Sequence, residues 1–140
     1  MFLNLDQFKD VGYFDDKFFI YFEEIDLCKR LVSNGKKIFL DPTINVFHSG
    51  GSSHDEEINF EMEKSRNWHW MWSSFYFHKK HQGYLISLIK IFPKFISAIL
   101  KIIFFSILLN KKKVSIYYCR FSGIFNSMLL KRSCYRPKIN

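Results

Sequence analysis

Cysteine is scarce in this 140-residue chain, which contains only Cys28, Cys119 and Cys134. These residues are far apart and form no CxxC pair, so the sequence offers neither a disulfide framework nor a cysteine-based metal site. We therefore expect reduced thiols in a cytosolic protein. A secretory signal is also lacking, because the first ten residues have neither a basic start nor a continuous apolar core.

Acidic residues are almost absent from the second half of the chain. Residues 63–140 carry fifteen basic side chains and one acidic side chain, whereas residues 1–62 carry six basic and twelve acidic ones. The basic half should therefore face a membrane surface, a nucleic acid or an acidic substrate. Apolar residues are plentiful, at 48% with 17 phenylalanines, so we expect a folded chain of one domain.

The first 56 residues have the pattern of an α/β fold. Apolar residues at three- and four-residue steps predict a helix that begins at Glu24 and ends at the Asn34-Gly35 pair. Aromatic and β-branched runs around this helix predict short strands, although one run also fits the approach to the helix. The strands are expected at residues 2–5, 37–40 and 44–47, and the ambiguous run is residues 18–22.

The remainder of the chain is predicted to be helical. One long helix with three tryptophans in its middle is expected over residues 57–82, and Gly83 interrupts it. A second helix follows over residues 84–109, and another short helix is expected around residues 123–130.

Three carboxylates, Glu23, Glu24 and Asp26, directly follow an apolar run. Carboxylates at a core boundary destabilise a fold unless a positive charge or hydrogen-bond donor pairs with them. Such carboxylates are often retained for binding or catalysis, so these three are candidates for a functional site. The alternative is a solvated helix N-terminus, where negative charge is favourable. His48 closes a second apolar run, and a lone histidine of this kind is more often a core or loop residue than a ligand.

The ordered motifs resemble those of a known enzyme family. The segments are VGYFDDKFFIYFEEIDLCKRL, NGKKIFLDP and NVFHSGGSS. In order and spacing they are similar to the C-terminal part of the catalytic domain in family two glycosyltransferases, particularly bacterial rhamnosyltransferase-like members. The resemblance implies that residues 1–56 belong to an α/β GT-A domain and that residues 57–83 form an aromatic helix packed on it. The charge and hydropathy pattern predicts that residues 84–140 form a basic amphipathic, membrane-associating helical tail.

The resemblance also implies inverting transfer of a sugar, rhamnose being one candidate, from a nucleotide-sugar donor to a cell-envelope glycan or lipid-linked acceptor. Glu24 matches the family's general base, which is usually Asp, and Glu23 and Asp26 would flank it. A base within hydrogen-bond reach can take the acceptor hydroxyl proton during attack on the anomeric carbon. Asp15 and Asp16 match a position that shapes the acceptor side.

A divalent metal, Mn²⁺ or Mg²⁺, is the cofactor that the resemblance implies. His48 matches the histidine that completes the metal's coordination at the donor diphosphate. The family's Asp-x-Asp motif, which supplies the carboxylate ligands, does not occur in the sequence. Because Met1 lies where the donor-binding half should already have ended, we expect a C-terminal portion that is inactive alone.

Residues 84–109 are long enough to span a bilayer, but they contain three lysines and a proline. Lys90, Lys94 and Lys101 form a narrow stripe on an otherwise apolar helical wheel. We therefore expect a helix in the membrane interface with its lysines toward lipid phosphates, attached to the cytoplasmic face of the cell membrane as a peripheral or monotopic protein. The residues that add attraction to anionic lipid are Lys111, Lys112 and Lys113. The alternative is an amphipathic helix that caps the core.

Two rival functions come from the same sequence. A nucleic-acid-binding protein is disfavoured, because the basic residues alternate with Ile and Leu and no RNA- or DNA-binding motif occurs. A catalytically inactive membrane-associated remnant or interaction module is the main alternative to a transferase.

Overall fold

The fold is a helical bundle with a smaller helical segment packed against it. A computed structural model of the chain describes residues 5–47 and 56–137. In that part of the chain, a 3₁₀ turn at Leu5–Phe8 precedes four α-helices. These are α1 at Glu23–Ser33, α2 at Glu56–Gln82, α3 at Tyr84–Ile107 and α4 at Lys111–Met128.

The expectation of an α/β GT-A fragment is wrong, because no residue in the described part of the chain lies in a strand. Residues 37–40 and 44–47, predicted as strands, have no regular structure. Phe39 is 85% exposed and Phe47 is 100% exposed. A strand needs a neighbour for its hydrogen bonds and a face to bury, and the described residues provide neither here.

The other two segments considered as strands, residues 2–5 and 18–22, do not form strands in the described part of the chain either. Residues 2–4 lie outside the described residues, and Leu5 already begins the 3₁₀ turn. Residues 18–22 form the approach to α1, which was the alternative for this run. Tyr21 and Phe22 have φ angles of 69° and 71°, in the left-handed region, which a strand does not contain.

Helix α1 lies close to its predicted bounds. It begins at Glu23, and after its last residue Gly35 takes a φ of 71°, which glycine adopts without a steric penalty. Its apolar stripe packs Leu27 and Leu31 against Phe8, so the 3₁₀ turn and α1 share one small core. This core is separate from that of the bundle.

Helices α2, α3 and α4 pack against one another around a second core. The buried residues of this core are Met71, Phe75, Ile91 and Ile124. Gly123 permits the close contact between α2 and α4, because a Cβ at this position would overlap the carbonyl oxygen of Trp68. Burial of these apolar side chains from all three helices stabilises the bundle.

The boundaries of the bundle helices follow the sequence only in part. Gly83, at a φ of 87°, separates α2 from α3 as expected. Helix α3 continues through Pro93, and α4 has 18 residues rather than the short helix predicted around residues 123–130. Among the described residues, no helix combines the length and the apolar character needed to cross a membrane.

Candidate functional site

The first turn of α1 presents two carboxylates in different surroundings. Glu24 is exposed, and within the described part of the chain its carboxylate has no ion pair or hydrogen bond. Glu23 is half-buried, and its Oε2 is shielded from solvent without a hydrogen-bond partner in that same part. Glu24 is therefore accessible to a molecule that approaches α1.

Asp26, two residues further, is completely buried and ion-paired. Its carboxylate accepts hydrogen bonds from Arg30 Nε at 2.8 Å, Lys80 Nζ at 2.9 Å and His81 Nε2 at 2.8 Å. Burial alone would raise the pKa of the Asp26 carboxyl, but the bonds from Lys80, Arg30 and His81 outweigh it and lower the pKa. Asp26 therefore stays ionised and fixes α1 on the end of α2.

Arg30 extends this cluster to the segment before α1. Its Nη1 donates to the carbonyl oxygens of Val11 at 2.6 Å and Gly12 at 3.1 Å, and its Nη2 donates to that of Tyr13 at 2.5 Å. A planar guanidinium with several donors suits this arrangement, because it can bind a carboxylate and main-chain oxygens together. The backbone at residues 11–13 is thereby held against α1.

Asp15 and Asp16, the two aspartates expected on the acceptor side, have different surroundings. Asp15 Oδ2 accepts from the Tyr76 hydroxyl at 2.9 Å and from Lys80 Nζ at 2.7 Å. Burial opposes ionisation of Asp15, but the Lys80 bond is among the contacts that lower its pKa. Burial and the neighbouring Asp15 raise the pKa of Tyr76. Asp16 instead lines a neighbouring cleft.

We call this cleft, of about 450 Å³, the basic cleft. Its charged lining comes from three segments: the chain before α1, the end of α2 and the chain after α4. The charged residues are Asp16, Lys17, Lys79, Lys131 and Arg132. Trp72 and Tyr76, whose rings stack at 5.1 Å between centroids, form part of the wall.

The metal expected from the resemblance has no supporting cluster in the described residues. His48 lies outside them, and no group of three His, Cys, Asp or Glu side chains in residues 5–47 and 56–137 is arranged to hold an ion. We therefore derive no chemical step through a metal.

Helix α3 packs against the bundle through Ser87, Ile91 and Ala98, and its lysines lie exposed at the margin of this contact. Ser87 is buried, Lys94 Nζ donates to Ser74 Oγ of α2 at 3.3 Å, and Lys101 Nζ lies 5.0 Å from the centre of the Tyr117 ring of α4. On the opposite side, six apolar residues that are each more than half exposed fall within an arc of about 80°. This apolar face of α3 consists of Leu85, Ile89, Phe92, Leu100, Ile103 and Ile107.

All the lysines of the predicted stripe and of the polybasic run are exposed. Lys90 lies on α3, and the three lysines of the first turn of α4 follow the apolar face of α3 closely in the chain. Lys113 Nζ also lies 4.7 Å from the centre of the Phe105 ring. Positive charge is therefore present near one end of the apolar face of α3.

Sequence reasoning missed the cationic half of the ion-paired cluster. Arg30 follows Asp26 by four residues, a spacing that brings side chains together on a helix, so this pair was visible in the sequence. Lys80 and His81 come from α2, more than fifty residues away, and no local pattern connects them to Asp26. The same holds for the cations of the basic cleft, which come from three segments.

Comparisons with protein-family models, with curated proteins and with solved structures find no match to this chain. A function can therefore be inferred only from the residues of this chain and from the motifs that they form.

Proposed function

We propose that this chain is the acceptor-side portion of an inverting glycosyltransferase that uses a nucleotide-sugar donor and a glycan or lipid-linked acceptor. The observation that carries the proposal is Glu24, an exposed and unpaired carboxylate on a helix that the buried Asp26 cluster holds in place. Its position in the motif order is that of the family's general base.

The proposed reaction needs one proton acceptor on the side of the sugar opposite the leaving nucleotide. The acceptor oxygen forms a bond to the anomeric carbon, the bond from that carbon to the nucleotide diphosphate breaks, and the hydroxyl proton passes to Glu24. Asp26 is unsuited to this task, because its oxygens already accept bonds from three cationic or imidazole groups. Asp26 is instead a positioning residue.

In this proposal, the chain does not contain the binding site for the nucleotide-sugar donor. The sequence contains no Asp-x-Asp pair, so we assign donor binding to a second chain or segment and the acceptor side to this one. The isolated chain is then expected to show no sugar-nucleotide turnover.

The apolar face of α3 supports a membrane location for the acceptor. Six exposed apolar side chains on one helix face, followed by a cluster of lysines, suit attachment to the cytoplasmic face of a membrane that contains anionic lipid. A lipid-linked acceptor would then be delivered at the surface where the protein resides.

A second candidate function is a membrane-associated module without catalytic activity. The observation that favours it is the same apolar face of α3, which requires no chemistry at Glu24. Substitution at Glu24 distinguishes the two candidates, because only the transferase depends on this carboxylate.

The experiment measures transfer of radiolabelled sugar to lipid acceptors in membranes of the native cells, in which the wild-type chain is replaced by each variant. Glu24→Gln should lower transfer by about a hundredfold or more, because it removes the base. Glu24→Asp should keep substantial activity, since a carboxylate remains. Glu63→Gln, at an exposed position on α2, is the matched control.

Transfer that is unchanged in Glu24→Gln would overturn the transferase proposal and favour the non-catalytic module. Absence of transfer in membranes with the wild-type chain, across nucleotide sugars of the common classes, would also count against it. Turnover by the 140-residue chain alone would refute the expectation that donor binding lies elsewhere.

A further inference from the structure

We infer that the basic cleft binds a phosphate or diphosphate group. This inference does not depend on the proposed transferase function. It starts from four positive side chains that line one cleft of about 450 Å³, a volume within the usual range for small-molecule sites.

The charges in the basic cleft are not balanced within the described part of the chain. Lys17, Lys79, Lys131 and Arg132 form no ion pair there, and Asp16 is the single carboxylate in the lining. The neighbouring Lys80 contrasts with them, because it is paired with both Asp15 and Asp26. Four unpaired cations against one carboxylate create a local positive field that a multiply charged anion would neutralise.

The wall of the basic cleft is fixed by hydrogen bonds. Trp72 Nε1 donates to the Lys131 carbonyl oxygen at 3.0 Å, and Ser127 Oγ donates to the Trp72 carbonyl oxygen at 3.0 Å. A third contact joins Ser133 Oγ and His69 Nδ1 at 2.8 Å. The segment that carries Lys131 and Arg132 is thereby attached to α2, so binding an anion requires little ordering of the backbone.

The chemistry of the lining favours phosphate over other anions. A guanidinium binds two phosphate oxygens with parallel bonds, and lysines add point charges around them. A single carboxylate ligand would leave most of the positive charge in the cleft uncompensated, whereas a diphosphate carries several negative charges. A nucleic acid is less suitable, since the cations converge on one cleft rather than following a stripe.

The phosphate group can come from a soluble compound or from a lipid headgroup. The first arm of the test therefore measures binding of inorganic pyrophosphate to the full chain in a non-ionic detergent by isothermal titration calorimetry. The wild-type chain should bind at millimolar concentration or tighter, and the affinity should fall as salt is raised.

Substitution identifies the site. Lys79→Gln and Arg132→Gln together should weaken pyrophosphate binding by about tenfold or more, because two charge-assisted contacts are lost. Lys112→Gln, which removes an exposed lysine of α4 that does not line the basic cleft, should change the affinity by less than about twofold. Circular dichroism and the melting temperature verify that both variants are folded.

The second arm uses vesicles of neutral lipid that carry a small fraction of a diphosphate lipid. Competition between soluble pyrophosphate and these vesicles indicates that the basic cleft takes a lipid headgroup, and pyrophosphate binding without competition indicates a soluble ligand. The inference is overturned if the wild-type chain binds no pyrophosphate, or if the double variant binds it as tightly as the wild type.

Discussion

At the residue scale, the chain separates two neighbouring acidic residues into different roles. Glu24 is exposed and unpaired in the described part of the chain, whereas Asp26 is buried beneath Arg30, Lys80 and His81. A buried carboxylate is tolerated only where cations and donors surround it. Asp26 therefore stabilises the attachment of α1 to α2 and does not titrate near neutral pH.

Replacement of Asp26 by Asn should destabilise the fold by about 3 kcal/mol, because it leaves partly buried cations without their anion. The measurement is the free energy of unfolding from urea denaturation, with Asp10→Asn at an exposed position as the control. The control should change the stability by less than about 0.5 kcal/mol. Equal stability of the two variants would contradict a structural role for Asp26.

At the element scale, helix α3 has apolar residues on two sides, of which one is buried in the bundle and the other is exposed. Ile91 and Ala98 are buried, whereas Lys94 and Lys101 contact α2 and α4 from exposed positions at the margin of the packed side. The sequence revealed a lysine stripe on a wide apolar surface, but not which part of that surface would pack on the bundle. That packing depends on Met71 and Phe75 of α2 and Ile124 of α4, which form the core with Ile91.

Placing charges on the apolar face of α3 should weaken the proposed membrane attachment. Ile89→Glu with Ile103→Glu removes two exposed apolar contacts and should lower binding to anionic vesicles by about tenfold or more, since each apolar side chain contributes about 1.5–3 kcal/mol when buried. Vesicle flotation measures the bound fraction. Lys112→Gln is the control, because it keeps the apolar face of α3 intact and should weaken binding only slightly, and only to anionic lipid. Flotation of the double variant at wild-type level would contradict attachment through this face.

At the scale of the whole molecule, the sequence predicted the helical half well and the N-terminal part poorly. The long aromatic helix and the break at Gly83 were readable from local pattern alone. The strands expected at residues 37–40 and 44–47 were not formed, because a strand depends on partners that local sequence does not specify. The candidate base Glu24 was identifiable from its motif, whereas the contacts of Asp26 with Lys80 and His81 depend on the packing of α1 against α2.

Stability of the whole fold should fall in two steps as the solution is acidified. Burial, followed by the charge of Arg136, lowers the pKa of His69, although its bond to the Tyr135 carbonyl opposes this. Burial and the charges of Lys90 and Lys94 lower the pKa of His78. The unfolded chain then binds more protons than the folded chain below the ordinary histidine value of 6.5, so stability is lost as the pH falls through and below it.

The second step arises from Asp15 and Asp26, whose pKa values are lowered in the folded chain. Their contribution is present above the ordinary value of 3.8 and is lost as the pH falls below it. Thermal melts between pH 8 and pH 3 measure both steps. His69→Gln should reduce the loss of stability between about pH 7 and pH 5. A melting temperature that is independent of pH over that interval in the wild type would contradict the first step.

The contacts of Arg30 have a consequence for how this sequence can diverge. The guanidinium binds main-chain oxygens at Val11, Gly12 and Tyr13, and those oxygens are present whatever the side chains are. Substitution of the exposed Tyr13 ring should therefore leave these hydrogen bonds in place. Substitution of Arg30 by lysine should not, because a lysine ammonium lacks the several donors of a planar guanidinium. The sequence can thus vary at Tyr13, whereas the contact requires an arginine at position 30.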